Sequence, residues 1–566
     1  MSRNIAYVAA AVLLLTMLGM LILDAKSDSA TMDEPTHIAA GYTYVNALDY
    51  RLNPEHPPLA KDLMGLAVST MQVKYPFDFF YRHISLEYEN GYKFLFHSGN
   101  DADAILFRGR LAIISVTVIL AIFVFLWSTE LNGTMAGLFS LLLFAFDPNI
   151  IAHGHLATMD MAISAAFLIN LYFIWKYLTK RSKPLLIASG VTAGLALLTK
   201  FSALLLLPVY IALILYIATK GHEGDGCRFE LKRLKDILAI FTVICLIGFI
   251  VFFLGYTINM LHMPSSVQAD IINLKLSERT PFLASFLSNI DLRPITYYIL
   301  GLTMVGNHVA GGHSIFLLGR VTQGVHYYYP VVFVLKSTLP TLILSTLILA
   351  FGRRVRSQSR LAEVALISSI LVFGAAAIMG KLNLGLRYVL PVYPLLYVYA
   401  GKLVNLFKFD SLKQNSGELL HRFGSPKIVL NISLIILGIW QVITCLAISP
   451  YHLSYFNEII GPTRGSQVFS DSNVDWGQDL RRLHKYVEDN EIDRIYIDYF
   501  GGSIIEYYFG NKAVKWSGKK SCRPHGWFAI SVTNYNLETA QGKYRWLRNY
   551  KPYARIGYSI LVYKLP

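Results

Sequence analysis

The chain has 566 residues, of which 54% are hydrophobic and only 15% charged, with a formal charge of +15. Such a composition lies outside the soluble globular class and puts the chain in a membrane. The positive charge does not call for a nucleic-acid partner, because the basic residues fall mainly in short segments between apolar runs, as cytoplasmic loops are marked.

Apolar runs of the length needed to cross a bilayer, roughly 17 to 25 residues, lie near 4–23, 107–127, 132–147, 158–177, 185–199, 201–219, 236–258, 327–351, 361–379, 387–406 and 428–448, about eleven in all. The first is long enough to span and no Ala-x-Ala-like site clearly follows it, so an uncleaved span is expected rather than a signal peptide. With the N-terminus cytoplasmic, the inside segments 176–183, 220–235, the Arg353, Arg354, Arg356, Arg360 cluster and 402–427 are all basic. The outside segments are then the loop 24–106, the short stretches 147–159 and 199–200, the loop 259–326, 380–386 and everything from about 449. The four cysteines, Cys227, Cys245, Cys445 and Cys522, show no CxxC spacing, so neither a disulfide framework nor a zinc site is expected.

After residue 448 the pattern changes. Short apolar runs at 494–500, 526–532 and 559–565 read as strands, and Leu480, Leu483 and Val487 share one helical face. The expected architecture is an all-α polytopic membrane domain, 1–448, followed by a small extracytoplasmic α/β domain, 449–566.

Every polar motif falls on the outside. Asp33-Glu34 follows the first span, where acids must face water, a cation or a polar cleft. Glu55-His56-Pro57-Pro58-Leu59-Ala60-Lys61 contains a stiff proline pair that fixes the side chains before it; equally, the prolines can start a helix from Leu59, with Lys61 snorkelling to head groups. The stretch 147–160 carries Asp147, His153, His155 and Asp160. Lys200 and Arg387 end apolar segments, Gly311-Gly312-His313 lies in the 259–326 loop, and Asp471-Ser-Asn-Val-Asp-Trp-Gly-Gln-Asp479 opens the tail domain.

Asp-Glu followed about twenty residues later by His-Pro-Pro-Leu-x-Lys, in the first outside loop of a polytopic chain, resembles the phospholipid-carrier-dependent glycosyltransferases, which include protein O-mannosyltransferases and aminoarabinose transferases of lipid A. The 147–160 stretch, Gly194-Leu-Ala-Leu-Leu-Thr-Lys200, and Leu386-Arg387-Tyr388 with Pro391 and Pro394 are similar to later motifs of that family, so the resemblance covers roughly residues 1–400. It implies a GT-C fold, a sugar donor carried on polyprenyl or dolichyl phosphate, a protein or glycolipid acceptor and inversion at the anomeric carbon. It also implies that Asp33 is the general base. Glu34 is then expected to orient the acceptor or to assist a cation.

A departing lipid phosphate needs positive charge to hold it, and Arg387, Lys61 and Lys200 are the candidates. Arg387 leads, because a guanidinium holds phosphate oxygens bidentately. Glu55, His56, His153, His155, Asp160 and His313 are the candidates for touching substrate; the Gly-Gly-His turn resembles a loop lying over the donor site in some relatives. His153 and His155 with Asp160 or Asp33 have the ligand types for a divalent cation, although Asp160 as a helix cap with hydrogen-bonding histidines is the simpler arrangement. No cofactor is firmly implied. A transporter or flippase is the alternative function class, disfavoured because no internal repeat is evident and the polar clusters lie on one side only.

Overall fold

A computed structural model describes residues 2–83, 86–220, 230–288, 292–352, 358–407, 426–517 and 523–566. Cys227, Cys522 and the arginines at 353, 354 and 356 lie outside the described residues.

Among the described residues, six helices are long and apolar enough to cross a membrane: Arg3–Ser27, Ala102–Asn132, Asp160–Lys180, Phe201–Thr219, Leu231–Asn259 and Arg360–Met379. The chain is therefore an integral membrane protein. Two further pairs pass only as bent spans, Thr134–Ala145 with Pro148–Gly154 at 65° and Tyr328–Lys336 with Leu339–Phe351 at 114°. Each break has a local cause. Asp147 caps the second half of the first pair by accepting from the Asn149 and Ile150 amides, with Pro148 in the first turn. Thr338 caps the second half of the other pair, with Pro340 close behind.

Lys183–Leu197 and Ile432–Ile448 are shorter apolar helices. The expected span 387–406 is not a continuous one: a 3-10 turn at Leu386–Val389, the helix Val392–Ala400 and another 3-10 turn from Gly401 divide it. Nine residues of helix rise only about 14 Å, half the hydrocarbon thickness. Among the described residues, eight of the eleven expected apolar runs thus become spanning helices or bent helix pairs, two become shorter apolar helices, and the remaining one becomes a broken, largely buried segment.

Between the first two spans the long loop folds into the short helices Glu34–Asn46, Leu59–Ser69, Phe77–Arg82 and Glu87–Phe96. The first two cross where Gly41 meets Gly65. A Cβ on Gly41 would sit 1.9 Å from the Lys61 carbonyl oxygen, and one on Gly65 would sit 2.1 Å from that of Gly41, so only glycine allows this approach. The loop 259–326 holds the helices Ser266–Leu276, Pro281–Ser288 and Arg293–Gly311 and the antiparallel hairpin β1 (Ile315–Leu317) and β2 (Arg320–Thr322).

The tail carries a five-stranded mixed sheet. In spatial order it runs β4 (Ala513–Lys515), β3 (Ile495–Asp498), β5 (Gly526–Ser531), β7 (Ile560–Leu565), β6 (Ala554–Ile556), with β3 parallel to β4 and β5 and the β5–β7–β6 part antiparallel. The helix Leu480–Asp489 buries Leu480, Leu483 and Val487 against this sheet, as their spacing requires.

The tail is tied to the first long loop along the main chain. Ser29 N donates to Gln478 O at 3.0 Å, Met32 N to Trp476 O at 3.1 Å and Gly502 N to Ala30 O at 3.1 Å. Gly502 presses so closely that a Cβ there would lie 2.0 Å from the Thr31 carbonyl oxygen.

Candidate active site

Asp33 stands at the N-terminal end of the helix Glu34–Asn46 and makes no side-chain cap bond, so its carboxylate is free to turn into a cavity of about 330 Å³. Glu34 turns the opposite way. Its carboxylate is fully buried and accepts from Thr31 N and Oγ1, from Ala157 N, and from Arg110 Nε and Nη2, the last at 2.6 Å. Arg110 spends its remaining donors on the carbonyls of Ala25, Asp28 and Ser29. Burial alone would raise the Glu34 carboxyl, but the Arg110 charge and these hydrogen bonds hold it below the usual range. The adjacent acids therefore divide. Glu34 anchors the turn at the mouth of the first span, and Asp33 faces the cavity with its side chain 22% exposed.

Arg387 reaches the same cavity from the Leu386–Val389 turn, its Nε donating to Leu384 O at 3.1 Å. Its Nη1 lies 3.1 Å from Asp33 Oδ2 and 4.0 Å from Asp160 Oδ2, while Lys200 Nζ lies 2.7 Å from Asp160 Oδ1. Two cations and two carboxylates from four distant parts of the chain form one alternating cluster. Asp160 is 2% exposed and holds both cations from below; Arg387 and Lys200, at 12% and 13%, keep an edge toward the cavity.

Glu55 and His56 line the cavity as well, and so does His313, which stands 3.5 Å from Asp471. Burial holds His37 and His56 below the usual imidazole range, so both are neutral near pH 7; the His37 Nδ1–H donates to Ala157 O at 3.2 Å, which leaves its Nε2 as an acceptor.

Four expected site residues lie elsewhere. Glu34 is the buried anchor just described. Lys61 neither snorkels nor reaches the cavity: it is buried, its Nζ donating to the carbonyls of Asn53 (2.8 Å) and His56 (2.7 Å) and to Tyr44 and the Asn53 side chain. Burial pushes its ammonium down to about 7, against the pull of Asp62. It ties the 53–56 turn rather than a phosphate. His155 is drawn to Asp28, 3.1 Å away, and His153 packs against the Trp476 ring. Their spacing of two on the short Pro148–Gly154 helix and its cap turns them apart, and among the described residues no group of three or more His, Cys, Asp or Glu is placed to hold a metal ion.

The cavity also has a lining that the motifs did not single out, including His37, Tyr88, His308 and Phe500. His37 follows Asp33 by four residues, the spacing that puts both on one helical face. His308 pairs with Glu55 at 3.2 Å. Trp476 lies inside the tail motif 471–479, and its ring stands 4.3 Å from the Arg387 guanidinium carbon. The other acids of that motif are structural: Asp475 accepts from Thr533 N, and Asp479 pairs with Arg482 and Ser559.

The spans and the cavity define an integral membrane protein with a polar site walled by the loops between spans and by the tail. Residues 99–256 match the family described as Dolichyl-phosphate-mannose-protein mannosyltransferase, so the resemblance carried by the motifs is met by a family match spanning Asp160 and Lys200. No curated protein matches the chain in sequence. Among solved structures, ArnT from Cupriavidus metallidurans bound to undecaprenyl phosphate is similar at 14% identity and a TM-score of 0.46, over 99% of this chain and 98% of that one. The Archaeoglobus fulgidus oligosaccharyltransferase AglB in complex with an inhibitory peptide and a dolichol-phosphate is similar at 11% identity and a TM-score of 0.45, over 78% of this chain and 56% of that one. The oligosaccharyltransferase from the same organism tethered with an acceptor peptide gives 11% and 0.47, over 90% and 64%. The chain thus spans less than two thirds of the archaeal proteins and nearly the whole length of the bacterial one.

Proposed function

We propose that the protein is an inverting glycosyltransferase that moves a sugar from a polyprenyl or dolichyl phosphate to a hydroxyl of a protein or glycolipid, on the extracytoplasmic face of the membrane. The observation that carries this reading is the cluster of Asp33, Arg387, Asp160 and Lys200 in one cavity. The donor phosphate takes the open edges of Arg387 and Lys200, both held in place by Asp160. In binding Arg387 it competes with Asp33, because a guanidinium donor cannot serve two anions at full strength. Asp33 is thereby freed to accept the proton of the incoming hydroxyl.

The hydroxyl oxygen then bonds to the anomeric carbon as the carbon–phosphate oxygen bond breaks. The electron pair leaves on the lipid phosphate, where Arg387 and Lys200 hold the developing charge. One displacement inverts the centre and needs no second nucleophile. Neutral His37 has an acceptor, and neutral His56 a donor and an acceptor, to orient sugar hydroxyls. The basic segments expected on the other face support a cytoplasmic N-terminus and an extracytoplasmic tail.

The test compares, by mass spectrometry, glycolipids and glycoproteins of cells lacking the gene with cells given back the wild-type chain or Asp33→Asn. The wild type restores one sugar-bearing species. Asp33→Asn, equally abundant in the membrane and equally resistant to heat, leaves it missing, since a general base contributes about 10²–10⁴ in rate. Full restoration by Asp33→Asn sinks the proposal.

A further inference from the structure

The tail segment 471–478 touches both halves of the cluster. Met32 N, next to Asp33, donates to Trp476 O at 3.1 Å. Leu386 N, next to Arg387, donates to Asn473 Oδ1 at 3.0 Å, and Ser472 Oγ donates to Leu384 O at 2.9 Å. One short stretch of the tail thus spaces the two loops that bring base and cation together. Trp476 is itself tied down: its N–H donates to Gln478 Oε1 at 2.9 Å, and its ring packs among Ala152, Leu156, Leu453, Met32 and Phe500.

We infer that Trp476 is the positioning residue that holds the Arg387 guanidinium for the donor phosphate, which makes the tail domain part of the phosphate site. This rests on the reading of Arg387 given above. Asp33 engages Arg387 through an N–H group, the same kind of group a phosphate needs, so it must yield when donor binds. The indole engages the guanidinium at 4.3 Å through its π face and uses none of its fork of donors. Like the Leu384 carbonyl on Nε and Asp160, it persists when Asp33 turns to the acceptor, and it braces the flat face of the guanidinium. A neutral ring also adds no anion to repel the incoming phosphate, as a third carboxylate would.

The test titrates undecaprenyl phosphate into the full-length protein in lipid nanodiscs and reads the bound fraction by native mass spectrometry, for the wild type, Trp476→Ala, Trp476→Leu, Trp476→Phe, Arg387→Ala and the double variant with Arg387→Ala and Trp476→Ala. Trp476→Phe, which keeps an aromatic face, stays within about threefold of wild type, while Trp476→Ala and Trp476→Leu weaken binding about tenfold, the scale of a desolvated cation–π contact. In the Arg387→Ala background the second substitution costs nothing further, because its target is gone. Leucine keeps the apolar packing; if Trp476→Leu binds like wild type while Arg387→Ala does not, the inference is overturned and the phosphate site stands. An equal loss from Trp476→Ala with and without Arg387 also overturns it, marking a general disturbance of the fold. If Arg387→Ala binds like wild type, the phosphate site itself is wrong.

Discussion

Replacing Glu34 by glutamine separates scaffold from chemistry within one dipeptide. The carboxylate is completely buried against Arg110 and also accepts two backbone amides and the Thr31 hydroxyl. Glutamine keeps the shape but turns a donor-bearing nitrogen toward groups that are all donors, and it leaves the Arg110 guanidinium buried without its counter-charge. Breaking a buried pair from one side costs about 3–5 kcal/mol, and the lower end applies because Arg110 keeps the carbonyls of Ala25, Asp28 and Ser29. The assay is a thermal melt of detergent-purified protein alongside sugar transfer measured at low temperature. Glu34→Gln should melt clearly earlier, while each folded molecule transfers sugar within about threefold of wild type, far from the 10²-fold or greater loss of a missing base. A Glu34→Gln protein with the wild-type melt and no transfer would refute the structural role and restore Glu34 to the chemistry.

Lys61→Ala strands the buried carbonyls of Asn53 and His56 at about 1–3 kcal/mol; it should lower the melt while native mass spectrometry shows undecaprenyl phosphate bound as in wild type. Gly65→Ala forces a methyl into the Gly41 carbonyl and should cost at least about 1–3 kcal/mol, read as an earlier melt and poor yield. Burial pushes the Asp475 carboxyl up to about 8 from an ordinary 3.8, so between those values the folded protein binds the proton that the unfolded chain has released. Its contribution to stability is therefore full at low pH and is lost as pH rises toward 8. Asp475→Asn, which keeps the neutral shape, should melt like wild type below about pH 4 and flatten the fall between about pH 4 and pH 8; an unchanged slope would exclude Asp475 as its source.

Much of the fold was legible because membrane insertion imposes a coarse rule, a run of apolar residues for each crossing. The rule failed at 387–406, where the apolar run is cut at Pro391, before the helix Val392–Ala400, and at Gly401 after it, into short pieces that protein, not lipid, covers. Three short strand patterns and one amphipathic helix in the tail were legible for the same kind of reason, whereas β4 and β6, at three residues each, are too brief to show a period.

The site was legible where charge ends an apolar segment, as at Lys200 and Arg387. It was not legible where two residues of like chemistry differ only in the direction they face. Asp33 and Glu34 are adjacent acids, and only the folded turn says which meets Arg110. Lys61 and Lys200 both lie beside apolar segments in the sequence, yet the Gly41–Gly65 crossing sinks the first among carbonyls. Trp476 had no charge to announce it.

The pairing of Ser29 with Gly477 joins positions 448 residues apart. At about 5–20 residues per second of synthesis, roughly 20–90 s separate the appearance of the first loop from that of its partner segment. For most of that interval the first span sits in the bilayer with Arg387 still unmade, and the Trp476 indole is absent until its end. The chain can be inserted in the membrane long before Asp33, Arg387 and Trp476 can meet, so the cluster is among the last things its synthesis completes.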